Sequence, residues 1–264
     1  MSAILLDEEI VHYEVLGRGR PILFLHGWVG SWRYWIPAMQ AASMSFRTYA
    51  LDLWGFGDSA KTPQNYSLEQ QAQLIERFMQ EMGMVKVALV GHGLGAVAGM
   101  IFTRQNPESV DRFMAVSYPL EDAMITSRLR GASPADLTDW LLGKNLTPVT
   151  DAARTDAPKT DPQAIQTSLR LLAGLNLREY ALGIFTPRLL VHGLNDPAIE
   201  TPRSDVLNDL PDETHQVLFE QSGHFPMLDE GSKFNRLLVD FLNLPSGESP
   251  RQLQLKEEWK RRVR

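Results

Sequence analysis

Residues 87–100, VALVGHGLGAVAGM, decide how the rest of the chain reads. The first residues are an apolar run of strand length. Glycines follow at 91, 93 and 95, and residues 94–105 continue as a helix of small, mostly apolar residues. A strand that turns this abruptly into a helix favours residues without a Cβ, because glycine adopts a left-handed backbone at little steric cost. Residues 85–90 and 94–105 are thus a predicted strand–turn–helix unit. Repeated along a chain, such units build a mostly parallel sheet covered by helices.

The unit is repeated. Residues 10–16 read as an early strand closed by the turn GRGRP, residues 22–25 as a strand ending at HGW, and residues 47–51 as one ending at DLWGFGDS. Residues 66–82 form an amphipathic pattern, with Ser67 as N-cap and Gln70 three positions on. Residues 111–117 are again a strand. The alternation then stops. Residues 119–184 are polar and helical, and TPVTDAARTDAPKTDP at 147–162 reads as a loop inside them, the expected first point of proteolysis. PRLLVHG resumes the strands, followed by HQVLFE and a helix at 232–242. Open sheets of this kind place their sites at the carboxyl ends of the strands, so the residues just past each strand are the informative ones.

Composition bounds the rest. Of 264 residues, 44% are hydrophobic and 22% charged, as expected of one sizeable globular core. No apolar run reaches the ~18–20 residues of a membrane span. The first residues, MSAILLDEEIVHY, lack a basic segment followed by a long apolar one, so no signal peptide is expected, and the cytoplasm is the expected compartment. There is no cysteine, which removes disulfides and thiol chemistry. The net charge of −6 is uneven: residues 251–264, RQLQLKEEWKRRVR, carry +4 and the other 250 carry −10. An acidic body argues against nucleic acid as partner. The tail is an expected short helix with Leu255, Trp259 and Val263 on one face and Leu253 off it. It either folds back on the acidic body or makes a weak membrane-surface or protein contact.

Three positions past strand ends carry the candidate chemistry. A G-x-S-x-G turn lifts a nucleophilic serine above a sheet, and here Gly93 stands in the serine's place between Gly91 and Gly95. Asp196, in HGLNDP, is placed to orient a histidine, although Asn-Asp-Pro is also ordinary turn chemistry. His224, in FEQSGHFPMLDE, follows the last strand. Ser59 and Ser117 lie near strand ends but not at such a turn, Glu121 and Asp122 are weaker alternative acids, and His26 and His92 read as braces. Trp28, Trp32, Trp35 and Trp54 fall near the same strand ends, where core packing or a pocket lining would suit them. Neither H-E-x-x-H nor a Walker pattern occurs, and neither metal nor cofactor is expected.

HGW, DLWGFGDS, GHGLGA, HGLND and SGHFPMLDE together resemble the α/β-hydrolases, in particular the small cap-bearing esterases, C–C hydrolases and epoxide hydrolases. The resemblance implies an α/β fold with a mostly parallel eight-stranded sheet, helices on both faces and an inserted helical cap. It divides the chain into a core at 1–118 and 185–245, a cap at 119–184 and a basic tail at 246–264. It also implies an oxyanion hole made by the backbone N–H groups of Trp28 and Leu94. The departure is Gly93, which offers no nucleophile. Four readings follow: a small-molecule binder that has lost serine chemistry, an enzyme using His224 and Asp196 to activate water or abstract a proton, an inactivated variant of an ordinary hydrolase, and an interaction module that uses its tail.

Overall fold

The structure, a computed structural model, describes residues 2–255. Eight strands form one sheet: β1 (Ser2–Leu6), β2 (Glu9–Gly17), β3 (Arg20–Leu25), β4 (Phe46–Leu51), β5 (Val87–His92), β6 (Val110–Val116), β7 (Arg188–Gly193) and β8 (Thr214–Phe219). Their order is β1-β2-β4-β3-β5-β6-β7-β8. β2 is antiparallel to both β1 and β4, and all other pairings are parallel. Every residue of β5 is buried, as a parallel strand covered on both faces requires. Sequence analysis passes over β1. The reason is its turn: Asp7 and Glu8 take φ of 50° and 68° and close a two-residue hairpin without the glycine that usually signals one.

The helices are α1 (Ile36–Ala42), α2 (Leu68–Glu81), α3 (Leu94–Gln105), α4 (Ser127–Gly131), α5 (Pro134–Leu142), α6 (Pro148–Asp156), α7 (Pro162–Leu172), α8 (Leu177–Leu182), α9 (Ser204–Asn208), α10 (Pro226–Asp229) and α11 (Gly231–Leu242). They cover both faces of the sheet, with α1 packed on α11 and α2 on α3. The cap on α2 is the expected one: Ser67 Oγ accepts the Gln70 N–H at 3.1 Å. Its buried residues, Leu68, Gln71, Ala72, Leu74, Ile75, Phe78 and Met79, repeat at helical spacing.

Helices α4–α8 lie between β6 and β7. The expected loop at 147–162 is instead mostly helix. Pro148 and Pro162 occupy the first turns of α6 and α7, where a missing N–H costs nothing. A reciprocal cap fixes the start of α6: Thr147 Oγ1 accepts the Thr150 N–H at 3.2 Å, and Thr150 Oγ1 accepts the Thr147 N–H at 2.8 Å. Asp156, at the end of α6, is buried, accepting the Ser31 hydroxyl at 2.5 Å and pairing with Arg33 Nε at 2.8 Å. Composition alone thus misreads this stretch, because its prolines start helices rather than interrupt them.

Residues 256–264, which hold most of the expected tail helix at 251–264, lie outside the described residues. The described beginning of the tail is a 3₁₀ turn at Pro250–Leu255, and it packs against β8 and α11. Leu253, left off the apolar stripe by the helical reading, is buried. Among the described residues, no helix is long and apolar enough to cross a membrane.

Candidate functional site

The turn between β5 and α3 has the backbone that its glycines suggest. Gly93 takes φ 48° and ψ −111°, a conformation strained for any residue with a Cβ. Gly95 allows close approach: its N–H donates to His26 O at 3.0 Å, and a Cβ there would meet Leu25 O at 2.5 Å. α3 is thereby set tightly behind the end of β3, with its amino terminus and the positive end of its dipole at the strand ends.

Asp196, in the loop after β7, and His224, in the loop after β8, meet here. His224 Nδ1 donates to Asp196 Oδ2 at 2.9 Å and lies 3.1 Å from Oδ1. Asp196 Oδ1 also accepts the N–H groups of Ala198 at 2.8 Å and Ile199 at 3.1 Å, and Ser117 Oγ donates to Oδ2 at 3.0 Å. Burial alone would raise the Asp196 pKa. The charge and hydrogen bond of His224, with the two backbone N–H groups, outweigh it and hold the carboxyl at about 2. The other ring nitrogen, His224 Nε2, is buried and has no hydrogen-bond partner among the described residues.

A second layer fixes this pair against the glycine turn. The Gly27 N–H donates to Tyr34 Oη at 2.6 Å, and the Tyr34 hydroxyl donates to His92 Nδ1 at 2.9 Å. His92 Nε2 then donates to His224 O at 2.9 Å. The His92 and His224 rings are 4.5 Å apart between centroids, which brings His224 beside the residue preceding Gly93. Burial, reinforced by His224, pushes the His92 pKa well down, so the ring is neutral and its tautomer follows from these bonds. His26 is likewise a brace: Nδ1 donates to Gly27 O at 2.8 Å, and Nε2 accepts the Leu53 N–H at 2.9 Å.

Trp28 follows β3, and Leu94 opens α3. Among the described residues, neither backbone N–H has a hydrogen-bond partner, so both are free to donate. The Trp28 indole is fully buried against Gly93, and its Nε1 donates to Ser168 Oγ of α7 at 3.1 Å. The insertion is also stitched to the Asp196 loop: Ile125 bridges Ile199, and the Thr126 N–H donates to Ala198 O at 2.9 Å.

The remaining candidates are engaged elsewhere. Ser59 Oγ donates to Asp52 O at 2.7 Å, Asp122 pairs with Arg130, and Glu121 is exposed. Ser117, not an expected nucleophile, contacts Asp196 instead, and its place at a strand end is the sole sequence signal for that contact. Trp28, Trp32, Trp35 and Trp54 are all buried. His12, Asp52 and Asp58 lie close enough to hold a cation, yet each has a partner: His12 Nδ1 meets Asp52 Oδ2 at 3.0 Å, Asp52 Oδ1 accepts the Trp32 N–H at 2.9 Å, and Asp58 pairs with Lys159 at 2.9 Å. A groove lined by Arg20, Phe46, Lys86, Asp111 and Arg112 lies at the opposite, amino-terminal ends of the strands.

An alpha/beta hydrolase fold family matches residues 20–144. The pimeloyl-[acyl-carrier protein] methyl ester esterase of Vibrio cholerae is 26% identical over 257 residues, spanning 88% of this chain and 97% of its own. Among solved structures, the enol-lactonase of Burkholderia xenovorans LB400 aligns with a TM-score of 0.79 at 20% identity, covering 91% of this chain and 99% of that one. A serine-to-glycine mutant of the N-acyl homoserine lactonase AidH, complexed with N-hexanoyl homoserine lactone, aligns with a TM-score of 0.78 at 19% identity, covering 91% and 96%. Strand order, the strand–glycine turn–helix unit and these likenesses agree: the chain has the α/β-hydrolase fold, and residues 20–144 match that family.

Proposed function

We propose that this chain binds a small, largely apolar ester or lactone at the strand ends, with α4–α8 as its cap, and does not form an acyl-enzyme. The observation that carries the reading is Gly93 itself, a residue without hydroxyl or thiol at the point where the fold presents a nucleophile. The ligand class rests on the esters and lactones named for the similar proteins, and on the lactone held by the serine-to-glycine lactonase. Tyr34 and Phe225 pack around His92 and His224 and make the surroundings apolar. The N–H groups of Trp28 and Leu94 supply donors for a carbonyl oxygen. The test is direct. Wild-type protein is expected to give neither a burst nor appreciable turnover of p-nitrophenyl acetate and butyrate, while N-hexanoyl homoserine lactone raises its Tm. A burst of p-nitrophenol would overturn the reading.

A second reading has its own support. Among the described residues His224 Nε2 is buried without a partner, while Nδ1 is fixed on Asp196. A water or an acidic substrate C–H placed at Nε2 would be activated by it, which makes the pair a general base. This reading requires burst-free turnover that His224→Ala abolishes.

A further inference from the structure

We infer that Trp28 and Gly93 act as one unit: the indole is the resident occupant of the space above the glycine turn, and its departure admits a ligand. On this view the size of residue 28, as well as the missing hydroxyl, sets what the site accepts. The inference rests on the reading of the strand ends as the binding site.

The geometry is specific. A Cβ at position 93 would lie 3.0 Å from Trp28 Cε3 and 3.1 Å from Cζ3, inside the ~3.5–4.0 Å at which carbons pack. A side chain at 93 and the indole therefore crowd each other, so that one must give by a few tenths of an ångström, and glycine leaves the indole in place. Trp28 is also the tethered tryptophan of the group expected at the strand ends. Its Nε1 donates to Ser168 Oγ, whereas among the described residues the buried Nε1 atoms of Trp32, Trp35 and Trp54 have no partner. Ser168 is oriented for this task, because its own hydroxyl is within 2.8 Å of Ala164 O and 3.0 Å of Ile165 O, leaving a lone pair for the indole. α7, which carries Ser168, is anchored at its start by Tyr66 Oη on Asp161 Oδ2 at 2.7 Å and by the Asp161 N–H on Gly55 O at 2.8 Å. The tether thus links the volume over Gly93 to the insertion. Trp28 and His224 are both fully buried, so a ligand reaches Nε2 only when a side chain moves. The indole is the group whose movement opens space next to Gly93.

The test restores the nucleophile and varies the gate. Gly93→Ser is compared with Gly93→Ser/Trp28→Ala, Gly93→Ser/Trp28→Leu and Gly93→Ser/Ser168→Ala. The readouts are labelling by a fluorophosphonate and hydrolysis of p-nitrophenyl butyrate, with folding checked by thermal unfolding. In labelling, the introduced hydroxyl oxygen bonds to phosphorus, fluoride leaves, and the hydroxyl proton passes to His224 Nε2. The single variant is expected to label slowly. Either substitution at 28 raises the rate at least about tenfold, since small misplacements at a reacting centre cost rate steeply, and Ser168→Ala gives a smaller gain. If the alanine variant fails to fold, the leucine and Ser168→Ala variants give the same reading. Equal rates in the single and double variants would overturn the gate and leave the binding site standing. Folded double variants that take no label would overturn both.

Discussion

Around Asp196 and His224 the chain supplies a partner for almost every polar atom; around Gly93 it supplies an indole. The polar half joins the ends of several strands. Ser117 follows β6, Asp196 follows β7 and His224 follows β8, and His92 ties them through Tyr34 back to Gly27 after β3. The apolar half consists of Gly93 and Trp28, closed over by Ser168. The difference bears on inference from residues. An acid–histidine pair that also clamps strand ends would be kept for stability even where no nucleophile remains, so its presence alone does not report catalysis. His224 Nε2, without a partner among the described residues, is the part of the pair that clamping does not use.

The sharpest way to break the comparison is to remove the clamp. Asp196→Ala leaves the Nδ1 of His224 and the N–H groups of Ala198 and Ile199 without their acceptor, and the Ser117 hydroxyl with only His224 O at 3.4 Å. The expected loss is about 3 kcal/mol, or about 6–12 °C in Tm for a domain of this size. Urea unfolding checks it, and an unchanged midpoint would mean that the pair carries no structural load. On the other half, Gly93→Ala should cost roughly 1–3 kcal/mol, from backbone strain and contact with the indole. In a Trp28→Leu background that cost should shrink by at least ~0.5 kcal/mol, because the two sites touch. Strictly additive losses would separate them.

Acid sharpens the same contrast. His26, His92 and His192 are fully buried, and burial lowers each pKa. Unfolded, each titrates near 6.5, so below about pH 6.5 the unfolded chain binds more protons than the folded one. Stability is therefore complete above that pH and falls as pH drops toward the lowered folded values. Asp196 adds a later step: its contribution is present above about pH 4 and is lost as pH falls toward its folded value of about 2. Unfolding free energies measured from pH 8 to pH 4 should decline first through the histidine range, by up to ~1.4 kcal/mol per pH unit for each histidine that differs. His92→Gln should flatten that first decline, and a flat wild-type profile from pH 7 to 5 would contradict the assignment of a neutral buried His92.

How much of this was legible follows from where the physics is local. α3 was read to the residue, because a glycine turn and a run of small residues leave few alternatives. Ser67 announced α2 by its own hydroxyl. β1 stayed hidden behind a glycine-free hairpin, and α6 behind a loop-like composition whose order, not its content, makes a cap. Order after strands marks Gly93, Asp196 and His224 as candidates in the sequence. The Asp196–His224 contact, the Ser117 contact and the indole over Gly93 depend on loops packing from distant strands, and local patterns carry no record of that.

Ser117 offers the finest test of how the polar half is built. It holds φ at 47°, a left-handed backbone uncommon for any residue but glycine, and it keeps this conformation while its hydroxyl reaches Asp196 Oδ2. Two effects oppose each other at this one position, and two substitutions separate them. Ser117→Ala removes the hydrogen bond and keeps the strain, so it should lose about 1 kcal/mol. Ser117→Gly removes the same bond but relieves the backbone, partly offset by the greater freedom of glycine in the unfolded chain. The glycine variant should therefore unfold at a higher urea concentration than the alanine variant, by about 0.5–1 kcal/mol in stability. Equal midpoints would mean that the left-handed turn at the end of β6 costs nothing. A glycine variant below the alanine one would mean that the greater freedom of glycine in the unfolded chain outweighs the relief of the left-handed backbone.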